Sequence, residues 1–71
     1  MDIITDRAHT EIIGKHKFVI LGQLTSAFNK HPKTIERWIK DKDLKLTTPT
    51  AVAIIKKVTG LSEREILEKA S

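Results

Sequence analysis

Leu24-Thr25-Ser26-Ala27-Phe28-Asn29-Lys30-His31-Pro32-Lys33-Thr34-Ile35-Glu36-Arg37-Trp38 is the most informative run in this sequence. It reads as two helices folded back across a three-residue turn. Ile20, Leu21, Leu24 and Phe28 recur at steps of three and four, the spacing of one helix face. Asn29 suits the stop, because asparagine enters the left-handed conformation at modest cost. Lys30 and His31 complete the turn. Pro32 restarts the chain at a first helical position, where its missing N–H costs nothing. Beyond it Ile35, Trp38 and Ile39 face inward, with Thr34 as a partner of the turn. Two helices this closely joined need a small residue at their crossing, a left-handed residue four positions later and apolar side chains beneath. Thr25, Asn29 and the set Leu24, Phe28, Ile35 and Trp38 meet those demands.

The rest of the chain is punctuated in the same way. Lys40-Asp41-Lys42-Asp43 ends the second helix in a polar loop that Leu44 and Leu46 pin down. Thr48 caps a helix whose first residue is Pro49. Ala51, Ile54, Ile55 and Val58 follow at helical spacing, and Gly60 supplies the left-handed stop at its end. Ser62 and Glu65 form a capping box for a last helix running to about Lys69, with Leu61 and Ile66 as its hydrophobic staple. That helix buries Ile66, Leu67 and Ala70. At the N-terminus, Ile3, Ile4, Ile12 and Ile13 predict a short helix over Asp6–Ile13, capped by Asp6 or Thr10 and ended by Gly14. Residues 15–19 fit a bend or the start of the next helix. No sustained alternation and no Asn-Gly or Asp-Gly hairpin signal points to strands. The expectation is an all-α bundle of four to five helices in one domain, residues 1–71, with 1–14 a short helix or arm.

Composition narrows the function. The absence of cysteine removes disulfides, zinc–thiolate sites, iron–sulfur clusters and thiol catalysis. No apolar run is long enough to span a membrane, and no basic stretch followed by an apolar one marks a secretory signal. The chain therefore reads as soluble and cytoplasmic. The net charge of +4 is uneven: residues 15–45 hold eight basic and three acidic residues, a net of +5, and the remainder sums to −1. One cationic face, with polyanions as its partner class, follows from that asymmetry; a solvated lysine-rich surface is the plainer reading. His9, His16 and His31 are scattered without a second ligand set, so no metal site and no cofactor is expected. There is no phosphate-binding glycine loop and no nucleophile–base arrangement, so no catalytic residues are assigned and the chain does not read as an enzyme.

The run quoted above resembles the helix-turn-helix of the phage Cro and lambda-repressor-like family, whose pattern is roughly Leu-Ala-x-x-x-Gly-Val-Ser-x-x-Thr-Ile-x-x-Trp. The polar loop, the Pro-started helix, the Gly stop and the Ser-capped helix extend the likeness over about residues 20–69. Three positions depart from it. Thr25 stands for Ala and must fit a methyl and a hydroxyl at some packing cost. Asn29 stands for Gly, and Lys30 replaces an apolar turn residue, which removes a small core contact and makes the turn more basic. The resemblance implies a DNA-binding transcriptional regulator, a Cro-like repressor of a phage or prophage that acts by occupying an operator in the bacterial cytoplasm.

Under that resemblance residues 32–40 are the recognition helix, lying in the major groove. Arg37 is the first candidate base reader, because its fork bonds both acceptors of guanine. Lys33 reads guanine or binds phosphate, Glu36 accepts from cytosine, and His31 sits where it reaches a base edge or a phosphate. Ser26, Lys30, Thr34, Lys40 and Lys42 are candidate phosphate contacts, which position a protein without reading sequence. Each has a plainer reading: Glu36 pairs with Lys40 or Lys33 along the helix, Trp38 is core, and His9 and His16 are surface residues. The expected partner is double-stranded DNA, bound as a homodimer through the Ile-bearing N-terminal segment or the last helix, with no membrane and no small-molecule ligand. The rivals are a helical protein-interaction module, adaptor or antitoxin, which would expose an apolar patch, and a DNA-targeting piece of a recombination or excision system.

Overall fold

The computed structural model describes residues 2–69. The chain runs β1 (Asp2–Ile4), α1 (Asp6–Ile13), α2 (Lys17–Phe28), α3 (Pro32–Asp41), a 3-10 turn (Leu44–Thr47), α4 (Pro49–Thr59), α5 (Glu63–Ile66) and β2 (Leu67–Lys69). Among the described residues it is a small all-α bundle of five α-helices with one two-stranded sheet. Among the described residues no helix is long and apolar enough to cross a membrane.

The helical spacing in the sequence places the core. Ile20 and Leu24 of α2, Ile35 of α3, Ile55 of α4 and Leu46 of the 3-10 turn are fully buried, joined from the termini by Ile4, Ile12 and Ile66. Ala8 and Ala51 are also fully buried, and their lack of bulk lets α1 and α4 approach their neighbours closely. The bundle core contains no charged or polar residue among those described. Trp38, 6% exposed, is a core residue as expected, and its ring meets Phe28 edge-on at 5.4 Å and 85°.

The helix stops behave as their residues dictate. Asn29 (φ 52°) and Gly60 (φ 76°) are both left-handed, and their N–H groups bond the carbonyls of Thr25 and Lys56. Lys42 (φ 51°) ends α3 in the same conformation. The capping box is formed: Ser62 Oγ accepts from the N–H of Glu65, and Glu65 Oε1 accepts from the N–H of Ser62 at 3.1 Å.

Four expectations need correction. The last helix stops at Ile66, not near Lys69, and Leu67 turns extended (φ −114°, ψ 143°). Leu67, Glu68 and Lys69 pair antiparallel with Ile4, Ile3 and Asp2. Local propensity favours helix there, but ladder hydrogen bonds to β1 outweigh it, because the two ends of the chain meet. Ala70 lies outside the described residues. Second, α1 is capped by Thr5 rather than Asp6 or Thr10; its Oγ1 accepts from the N–H of Ala8 at 3.1 Å and donates to the carbonyl of Glu65. The backbone N–H of Thr5 also reaches Ile66 at 2.9 Å, so one residue ties α1 to α5. Third, Thr48 holds the cap position of α4, yet its hydroxyl donates back to Lys45 at 2.9 Å, satisfying a carbonyl of the 3-10 turn instead of an N–H of α4. Fourth, Leu46 anchors the loop after α3, while Leu44 is 44% exposed and contributes little to it.

Candidate nucleic-acid interface

The α2–α3 unit sets the geometry of the site. Residues 29–31 join the helices, and His31 caps α3 by accepting the N–H of Lys33 at its Nδ1, 3.1 Å away. Ile35, Trp38 and Ile39 lock the inner face of α3 into the core. The opposite face is therefore fixed by the helical period: His31, Lys33, Glu36, Arg37 and Lys40 are exposed, and Thr34 is half-buried. Lys33, Glu36, Arg37, Lys40 and Asp41 line one shallow depression along α3. Three of the base-reading candidates, Lys33, Glu36 and Arg37, thus share a surface, and His31 is not part of its lining.

Their charges are not spent on one another. Among the described residues the ion pairs are Arg7–Glu65, Lys42–Asp6 and Lys45–Asp43, and His16 Nε2 lies 3.8 Å from Glu11. Glu36 pairs with neither Lys33 nor Lys40, and Lys33, Arg37 and Lys40 are unpaired among the described residues. Ser26 and Lys30 are exposed on α2 and in the turn.

Lys42 is placed differently from the other candidates. Its ammonium is bonded to Asp6 at the start of α1, and the pair holds the Asp6 carboxyl below its ordinary value through that hydrogen bond and the lysine charge. His9 makes a second strap nearby, its Nε2 lying 2.8 Å from the carbonyl of Ile39. Both links fasten α1 to the end of α3. Lys45 is exposed, its ammonium lying 5.2 Å from the centroid of the Trp38 ring and 3.7 Å from Asp43.

One residue of this surface escaped the sequence reading. Lys17 opens α2 and lines a cleft with Glu36, Ile39 and Lys40 of α3 and with His9 and Ile13 of α1. The signal was its spacing, three and four positions before Ile20 and Leu21, which puts it on the face of α2 turned toward the bundle. It became readable only once α2 is known to begin at position 17. Among the described residues no group of His, Asp and Glu is arranged to hold a metal ion. Comparison of the chain with protein-family models, with curated proteins and with solved structures finds no match.

Proposed function

We propose that this chain binds duplex DNA through the α2–α3 unit, with α3 in the major groove, and acts as a sequence-specific transcriptional regulator of the Cro kind. The observation that carries the reading is the outer face of α3. It presents Lys33, Arg37 and Lys40, unpaired among the described residues, on a helix whose inner face is fixed by Ile35, Trp38 and Ile39. A rigid helix with unspent cations suits major-groove entry, where side-chain position must hold to a fraction of an ångström. In this reading Arg37 and Lys33 read bases, Glu36 and His31 contribute base-edge contacts, and Ser26, Lys30, Thr34 and Lys40 hold phosphates. Lys17 extends the phosphate path past the C-terminal half of α3. Lys42 stays with Asp6. A homodimer on a two-fold site, with half-sites about 34 Å apart, supplies the contact area that one small module lacks. Repression then follows from occupying the operator.

The test is a salt titration of binding to a mixed-sequence duplex, followed by fluorescence anisotropy. The reading expects affinity to fall linearly on a log–log plot, and Lys30→Ala and Lys17→Ala each to lower the slope by about one. Binding that is insensitive to salt, or slopes unchanged in both variants, would overturn it.

A further inference from the structure

The end of α3 is completed from another helix. α3 stops at Asp41, so the carbonyls of its last turn have no partner within the helix. Trp38 finds the N–H of Asp43 at 2.9 Å, whereas Ile39 receives a long bond, 3.3 Å, from Lys42. His9 of α1 supplies the shorter one from thirty residues away, its Nε2 lying 2.8 Å from the Ile39 carbonyl. A carbonyl can only accept, so this nitrogen carries a ring proton. His9 itself stands on a fixed platform. Ala8 and Ile12 of α1 are fully buried, and Thr5 ties the start of the helix to the carbonyls of Glu65 and Ile66.

The Lys42–Asp6 pair joins the same two helices, but its Asp6 side chain is 93% exposed, and an ion pair in water holds little. His9 is half-buried, so its bond is the firmer of the two. Trp38 and Ile39 already set how deep α3 sits. Apolar packing has no direction, however, whereas a hydrogen bond weakens steeply away from its axis. The His9 bond therefore constrains the rotation of the C-terminal half of α3, the half that carries Arg37 and Lys40. We propose that His9 is a positioning residue: through Ile39 it holds α3 at the angle at which its outer face tells one duplex sequence from another. This deepens the DNA reading and rests on it. His9 acts on the helix and not on the nucleic acid. Removing its N–H lowers the preference for a selected sequence and leaves the salt-dependent attraction to any duplex intact.

Two variants separate the donor from the ring. His9→Phe keeps the ring shape and loses the N–H; the Ile39 carbonyl retains its bond from Lys42, so the fold survives. His9→Gln puts an amide N–H at a similar reach. The wild-type chain selects duplexes from a random pool, and anisotropy then measures all three proteins on the selected duplex and on a mixed-sequence one. The expected ratio of the two affinities falls about threefold to tenfold in His9→Phe and stays near wild type in His9→Gln. Mixed-sequence binding and its salt slope stay unchanged in both. A ratio unchanged in His9→Phe, lowered equally in both variants, or preserved because both duplexes weaken together overturns the proposal. A second measurement needs no DNA. Nitrogen–proton spectra of the neutral imidazole are expected to place the His9 proton on Nε2, and amide exchange over residues 39–43 to quicken in His9→Phe but not in His9→Gln. A proton on Nδ1, or exchange unchanged in His9→Phe, overturns the proposal whatever the DNA result. A wild-type chain that selects no duplex while this bond is intact overturns the DNA reading instead, and with it the role assigned to His9.

Discussion

Two three-residue junctions in this molecule follow one backbone plan and serve opposite ends. Residues 29–31 join α2 to α3, and residues 60–62 join α4 to α5. Each opens with a left-handed residue, Asn29 or Gly60, and closes with a residue whose side chain caps the next helix, His31 or Ser62. They differ in the middle. Leu61 is 7% exposed and packs into the core, whereas Lys30 is exposed. The first and third residues suffice to set the turn, so the middle one is free to serve stability or surface chemistry. The α4–α5 turn takes stability. The α2–α3 turn leaves a cation in solvent and recovers its packing beneath, from the edge contact of Phe28 with Trp38.

Exchanging the middle residues breaks the comparison most directly. Leu61→Lys removes a buried leucine and forces an ammonium toward the core, with an expected loss of about 2–5 kcal/mol in chemical denaturation. Lys30→Leu, at an exposed site, is expected to change stability by no more than about 0.5 kcal/mol. Equal effects from the two changes would show that the turns are not used differently.

The first residues come next. Gly60→Ala meets no atom within 4 Å, so its cost is purely that of a left-handed alanine, about 1–2 kcal/mol. Asn29→Gly, by contrast, is expected to be close to neutral, since asparagine already tolerates φ 52°. A third change sharpens the account of the α2–α3 crossing. Thr25 Oγ1 is buried there without a hydrogen-bond partner. Thr25→Val keeps the shape and removes the unsatisfied hydroxyl, and should stabilise by about 1 kcal/mol, a rise in Tm of roughly 4–8 °C. A fall in Tm would mean that the hydroxyl is satisfied in solution.

The smallest effect is acid-sensitive and belongs to the α4–α5 turn. The Glu65 carboxyl lies below its ordinary 4.5, first because the Ser62 backbone N–H bonds it and second because of the Ser62 hydroxyl. A depressed value in the folded state contributes stability above the ordinary value and loses it as the pH falls through the folded one. The capping box should therefore weaken below about pH 4.5, and Glu65→Gln should flatten that part of the stability curve. Asp6, lowered by Lys42, titrates in the same direction, so the difference between wild type and variant is the quantity to read.

Much of this architecture was legible in the residues. Pro32, Pro49, Gly60, Asn29 and the Ser62–Glu65 pair mark their boundaries by local chemistry alone, and the 3.6-residue period separated Ile35, Trp38 and Ile39 from the outward residues of α3. What was illegible depends on distant parts of the chain. Three-residue strands carry too little alternation to register, and β1 meets β2 only because the bundle brings the termini together. Thr5 caps α1 from a corner that the strand pairing creates. Lys42 turns to Asp6, and Lys17 reaches the α3 cleft, because of where α1 packs, which no local spacing reports.

The central claim is that the outer face of α3 reads duplex DNA. Its most direct test is selection of bound duplexes from a random pool at moderate salt, run in parallel for the wild type and Arg37→Ala. The account predicts an enriched inverted repeat for the wild type, and for Arg37→Ala a loss of about 1–3 kcal/mol with relaxed preference at one base pair of each half-site. No enriched motif, together with no salt-sensitive binding to the pool, would contradict it.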